Sequence, residues 1–152
     1  MGLLTQDIRD FVNTTKLGFA ATVCADGTPN LSPKGTTIAW DEDHLTFADI
    51  HSPETVNNLK LNNAIEINTV DVFTRKGYRF KGTAQVLNDG DLFQSILNRY
   101  EAAGSLYVIN NIVLVKVQRV IPLFSPAYDH MSEPDILNRW VVYWSEVNKN
   151  RK

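Results

Sequence analysis

Lys34 lies between a proline and a glycine in Pro29-Asn-Leu-Ser-Pro-Lys-Gly-Thr-Thr37, a stretch whose neighbours are apolar and β-prone. Proline removes a ladder donor and glycine gives up a packing side chain. A strand built this way is an edge, a bulge, or a place where something approaches the backbone closely. Residues two apart on a strand share a face. Ser32 and Lys34 would therefore present a hydroxyl and an ammonium side by side, with Gly35 leaving the next backbone groups open. A second group follows at Asp49, His51, Ser52 and Thr55. Ser52-Pro53-Glu54 is a helix start, with Ser as N-cap, Pro at the first helical position and an acid in the first turn. The free N–H groups and partial positive charge of such a terminus bind anions. The Ser52 and Thr55 hydroxyls add donors, and His51 either joins them or stays in solvent. A lysine and a helix start are the parts of a phosphate site.

Other reactive residue types offer less. His44, His51 and His130 lack metal-ligand spacing, and no nucleophile lies beside the His130/Asp129 pair. Cys24 follows an apolar strand and reads as a small core residue. Arg79 and Lys81 occupy the polar positions of an alternating strand, either solvated or reaching a ligand or partner subunit. No residue stands out as a general acid or base. Binding is therefore better supported than acid–base chemistry.

The elements that must position these residues fit a single domain of 152 residues, large enough to bury a core without disulfides or metals. The chain is 43% hydrophobic and 21% charged, as soluble globular proteins are. A net charge of −2 gives no basic field for nucleic acid. No stretch approaches the roughly 18 apolar residues of a membrane span, and no secretory signal is apparent at Met1–Gln6. With one cysteine, the expectation is a cytoplasmic protein.

Thr5 caps a short helix carrying Ile8, Phe11 and Val12. Leu17–Val23, Pro29–Thr37 and Leu45–Ala48 read as three strands, with Asp26-Gly27 as a hairpin turn; their short connections predict antiparallel neighbours. A helix from Ser52 to about Leu61 turns Val56 and Leu59 inward. Ala64–Val70 and Tyr78–Leu87 alternate as strands, and Gly82 marks a bend. A helix over Asp91–Ala103 precedes the strand Asn110–Ile121, which Pro122 ends. Ser132-Glu-Pro-Asp135 opens a last helix, about 133–148, whose Trp140, Tyr143 and Trp144 make an apolar face wider than a short helix on a monomer needs. The expected fold is mainly β: a six- to seven-stranded antiparallel barrel with peripheral helices.

Leu17-Gly-Phe-Ala-Ala-Thr-Val23, Asp26-Gly-x-Pro29, Ser32-Pro-Lys-Gly35, Phe47-Ala-Asp-Ile-His-Ser-Pro53, Asn58-Leu-x-x-Asn62 and Tyr78-Arg-Phe-Lys-Gly-Thr-Ala84 stand together in this order. In that order and spacing, over about residues 8 to 120, the chain resembles the pyridoxamine 5′-phosphate oxidase-like family of FMN-binding split β-barrels. The resemblance implies a homodimer with the flavin at the subunit interface. The strand Ser32, Pro33, Lys34, Gly35, Thr36 would lie along the flavin. Asp49, His51, Ser52 and Thr55, with Asn58 one turn on, would meet the phosphate and ribityl chain, and Arg79 the cofactor or the partner. Trp140 and Trp144 would either pack as core or line the partner's flavin pocket.

The chain departs from the true oxidase. It has Ser32 in place of a phosphate-binding arginine, Thr37 in place of a substrate lysine, and Glu54 and Thr55 in place of early basic helix residues; the C-terminal basic motif does not occur. These changes argue against vitamin B6 oxidation and shift the phosphate to Lys34 and the helix start at Ser52. The expected function is an FMN-dependent oxidoreductase acting on a small substrate with its own electron donor. The alternative is a non-catalytic FMN carrier, electron-transfer or redox-sensing protein. The deazaflavin F420 or haem are the cofactors other relatives use.

Overall fold

The computed structural model describes residues 2–151; Met1 and Lys152, the ends of the expected domain, lie outside the described residues. The chain order is α1 (Gln6–Thr15), β1 (Gly18–Val23), β2 (Pro29–Lys34), β3 (Ile38–Ala39), β4 (His44–Asp49), α2 (Pro53–Leu61), β5 (Ala64–Val70), β6 (Lys76–Leu87), α3 (Gly90–Ala102), β7 (Asn111–Phe124) and α4 (Glu133–Lys149), with a 3-10 turn at Pro126–Asp129. One seven-stranded sheet runs β2-β1-β5-β6-β7-β4-β3, and every pairing is antiparallel. It curls into the expected split barrel.

Alternation explains the curl. β1, β5 and β6 bury every second residue, with Ala20, Ile67 and Phe80 in register across them and fully buried. Together with Leu45, Phe47, Val113, Val115 and Val117 they fill the barrel. β4 and the first half of β7 are covered on both faces, so Leu45, Phe47 and Ala48 and the run Ile112–Val115 are all buried. Their other face, Ala48, Ile112 and Leu114, packs beneath Ile96 and Tyr100 of α3. Gly82 sits at the register break between β6 and β7. The β6–β7 register slips between Lys81 and Gly82, and a Cβ on Gly82 would stand 2.2 Å from the Lys116 carbonyl oxygen. No other residue lets the two backbones approach so closely.

Four expectations change. The Pro29–Thr37 stretch and Leu45–Ala48 are not neighbours: the strand stops at Lys34, the chain turns through Gly35–Thr37, and the two-residue β3 pairs with β4. β2 and β3 are thus the two edges of the sheet, and the split lies between them. Pro122 does not end its strand. It pairs with Tyr78 inside β7, beyond the stretch where β4 covers the far side of β7, so its missing N–H faces no neighbour. The Thr5 and Ser52 side chains make no capping bond, whereas Ser132 Oγ does accept from Asp135 N. Cys24 is half-buried against Asn58 and Glu54 rather than in the core.

The prolines of β2 have a simple logic. Cys24 N–H donates to the Thr28 carbonyl, which makes that pair hydrogen-bonded and, by antiparallel alternation, also Thr22↔Asn30, Ala20↔Ser32 and Gly18↔Lys34. Pro29, Leu31 and Pro33 then direct their backbone groups away from β1. Both prolines stand where an N–H would have pointed off the open edge, which blunts it against unwanted pairing.

Candidate functional site

At the edge of the split, β2 delivers Ser32 and Lys34 to the inner face, as their spacing predicted. Lys34 is 4% exposed. Its Nζ donates to Ser32 Oγ at 2.9 Å and to Ser52 Oγ at 2.6 Å, and lies 5.7 Å from the centre of the Phe47 ring. Both acceptors are neutral hydroxyls. Among the described residues no carboxylate pairs with it. A buried ammonium without a counter-ion is costly. Burial pushes the Lys34 ammonium below its ordinary value, and the negative charge of Asp49 opposes that. Ser52 contributes its hydroxyl to Lys34 rather than to its own helix, so the first N–H groups of α2 lack a side-chain cap beside the lysine.

Asp49 holds this arrangement in place. It is 5% exposed; one carboxylate oxygen accepts from Ser52 N at 2.8 Å and the other from Asn111 Nδ2 at 2.8 Å. Its carboxylate thus braces the turn into α2 and supplies a negative field near Lys34. Thr36 is engaged twice: Ala48 N–H donates to its Oγ at 2.9 Å, and the Tyr100 hydroxyl donates to its carbonyl at 2.8 Å. Burial raises the Tyr100 phenol well above its ordinary value, so it stays a donor. These bonds tie the β2–β3 connection to β4 and α3, so the split does not gape. Pro33 and Gly35 are exposed along the open edge; a Cβ on Gly35 would meet nothing within 4 Å.

The remaining candidates spread out. His51 is exposed in the turn before α2, and Thr55 is buried in its first turn. Asn58 turns to Thr22 and Cys24, donating to Thr22 Oγ at 3.1 Å. Arg79 lies in the row Pro33–Phe19–Asn68–Arg79 on the outer face, and its Nε meets Glu66 at 3.0 Å. Lys81 shares the same carboxylate. The structure therefore gathers Ser32, Lys34, Asp49 and Ser52, and brings neither Asn58 nor Arg79 to them. Sequence reading missed Asn111, Phe47 and Tyr100. Phe47 and Tyr100 read as apolar positions, and only the β4–β7 pairing sets Asn111 opposite Asp49.

The trailing helix is held mainly at its start. Arg75 stacks 3.5 Å over the Trp140 ring, Lys76 pairs with Glu133, and Tyr128 OH donates to the Thr74 carbonyl at 2.6 Å. Ile136 is its one buried residue, while Leu137, Val141, Val142 and Tyr143 are 40–49% exposed.

The family model described as pyridoxamine 5′-phosphate oxidase matches residues 4–122. HupZ of Group A Streptococcus is 30% identical, with a TM-score of 0.72 over 81% of this chain and 96% of that one. A Lactobacillus delbrueckii protein proposed as a pyridoxamine 5′-phosphate oxidase is 26% identical, with a TM-score of 0.66 over 78% and 93%. An FMN-binding protein from Syntrophomonas wolfei shares the fold at 17% identity, with a TM-score of 0.67 over 78% and 85%. No curated protein matches.

Proposed function

The chain belongs to the pyridoxamine 5′-phosphate oxidase family, and from that premise we propose that it is an FMN-binding oxidoreductase acting on a small molecule. The observation that carries this reading is the buried Lys34 ammonium, held by two neutral hydroxyls where the open edge of β2 meets the start of α2. A phosphate is the counter-ion this arrangement lacks. Ser32, Lys34, Ser52 and the first N–H groups of α2 would hold it, with Thr55 behind them and His51 at the rim. The outward backbone groups of Leu31, Pro33 and Gly35 would run beside the ring system. Asp49 would keep Ser52 in place rather than touch the phosphate.

Bound FMN supplies the hydride and electron chemistry; the protein binds, orients and shields it. The edge of β2 is open and leaves one flank of such a ligand uncovered, so the working unit is a homodimer in which a second chain covers it. Among the described residues no helix is long and apolar enough to cross a membrane.

The test is the absorption spectrum of the purified protein with and without added FMN. A flavin spectrum, or saturable binding of added FMN with Kd near about 1 µM or tighter, is expected. A colourless protein that ignores FMN overturns the reading. Once FMN is bound, catalytic reduction by a nicotinamide donor and reoxidation by an acceptor separates an enzyme from a carrier.

A further inference from the structure

Two cavities, of about 750 and 680 Å³, flank the turn between β5 and β6, and none of the residues assigned above to the flavin lines either. Asp71, Val72 and Phe73 of the turn line both, so the two form one groove that crosses from α1 over the turn to α4. Arg75 ties the turn to the α4 wall: its guanidinium stacks on the Trp140 ring and its backbone N–H donates to the Asp71 carbonyl. The groove is therefore preformed.

Its surface is apolar. Leu17, Val72, Phe73, Leu137 and Val141 are each 38–43% exposed along it. Scattered singly, such residues mean little; side by side between two helices they mark a binding surface. Trp144 in the α4 wall adds an indole N–H that is buried and has no acceptor among the described residues.

Its rim is acidic along α1. Asp7, Asp10 and Asp71 line the first cavity, and no Lys or Arg does. None of the three forms an ion pair among the described residues. Asp10 accepts from Gln6 Nε2, and Asp71 from the Phe73 N–H and the Thr74 hydroxyl, all neutral donors that leave the charge in place. Arg151 lines the second cavity, beyond α4. A cationic occupant is thus drawn to the α1 side.

The shape narrows the choice of occupant. Neither open sheet edge, β2 nor β3, lines the groove, so a bound strand would find no ladder to join. Each cavity alone has the size of a small-molecule site, but joined across a shared turn they suit something longer. The acidic rim repels nucleic acid and anionic lipid. We propose that this groove docks a basic amphipathic helix of a partner protein, its leucine-type anchors in the cavities on either side of Phe73 and its lysines or arginines along Asp7 and Asp10. The claim concerns a protein contact and does not rest on the flavin reading.

Full-length protein is titrated into a labelled leucine–lysine peptide of about 18 residues, patterned to put leucine on one helical face, and into the leucine–glutamate peptide of the same pattern, with fluorescence anisotropy followed at constant ionic strength. The lysine peptide is expected to bind saturably, one per chain, and the glutamate peptide at least about tenfold more weakly. Asp7→Asn with Asp10→Asn should weaken the lysine peptide about fivefold or more, and Val72→Ser with Phe73→Ser about tenfold or more. Glu42→Gln with Glu101→Gln removes the same charge away from the groove and should leave binding unchanged. All six positions are exposed, so these substitutions do not threaten the fold. Equal binding of the two peptides, indifference to either groove variant, or an equal loss in the Glu42/Glu101 variant would overturn the proposal. So would light scattering that shows the Val72→Ser, Phe73→Ser chain falling to a smaller assembly than the wild type, which would give the groove to a second copy. Failure of FMN to bind would leave the proposal standing.

Discussion

Lys34 is the residue on which stability and function pull apart. Its charge is buried against hydroxyls and a ring, not a carboxylate. Replacing an unpaired buried charge by an apolar residue of similar length is neutral or stabilising. Lys34→Met should therefore unfold at equal or higher urea concentration while its FMN affinity falls about ten- to a hundredfold, the worth of a charge-assisted contact. A variant that lost stability and kept FMN affinity would remove Lys34 from the phosphate site. The pH dependence follows from the same burial. The folded value lies below 10.5, so between the two values the unfolded chain holds more protons. The Lys34 contribution to stability therefore rises with pH in that window, because the cost of the buried charge is relieved as the proton leaves. Ligand binding runs the opposite way, since the ammonium is the binding form. FMN affinity should drop as pH climbs through the lowered value, whereas riboflavin, which has no phosphate, should show no such drop in an isothermal titration series.

At the scale of elements, the site depends on how the curl is fixed and how the split is held. Gly82 fixes the curl. Gly82→Ala would drive a Cβ to 2.2 Å from one carbonyl oxygen and 3.0 Å from its carbon, both backbone, so the strands must part. About 2–3 kcal/mol of stability should be lost, read from the urea midpoint at constant m-value; a change under about 0.5 kcal/mol would show that the bulge yields freely. Tyr100 holds the split. Tyr100→Phe leaves the Thr36 carbonyl without its donor and should cost about 1–2 kcal/mol. It should also weaken FMN, because the β2–β3 turn then loses its tie to α3 and keeps only those to β4 and to the end of α1; a variant that loses neither stability nor affinity sinks this role. Here the sequence was legible where structure is local. Alternation marked β5 and β6, the Asp26-Gly27 turn marked the first hairpin, and Ser52-Pro53 marked the start of α2. It was not legible where pairing is long-range. Nothing local says that β1 pairs with β5, that the Pro29–Thr37 stretch breaks to place β2 and β3 at opposite edges, or that Asn111 comes to face Asp49. The Ser32–Lys34 face was readable from a spacing of two, but the Ser52 partner of that lysine is set by tertiary closure.

At the scale of the molecule, the single chain leaves apolar surface beside the edge proposed to hold the flavin. Leu31 is 66% exposed and Phe19 42%, on the outer face of β2 and β1, and the row through Phe19 continues to Pro33. Leu31 also directs its backbone groups off the open edge. An exposed leucine alone means little, but one that adjoins an unpaired edge and an aromatic neighbour marks a surface awaiting a partner. The homodimer proposed above would cover it and close the flank of the flavin in one step, so assembly and cofactor binding should be linked. Light scattering on the eluting protein should give about twice 17.1 kDa. Phe19→Glu with Leu31→Glu should shift the mass to that of one chain. The change sits on solvent-facing positions, so each chain should keep its fold and its circular dichroism. The FMN affinity of this monomer should fall even though Lys34, Ser32 and Ser52 are untouched, and added FMN should shift wild-type protein toward dimer at low concentration. A monomer that binds FMN as tightly as the dimer would show that one chain completes the site alone; a dimer unmoved by both glutamates would place the interface elsewhere, with the exposed Leu137–Tyr143 face of α4 the next surface to charge.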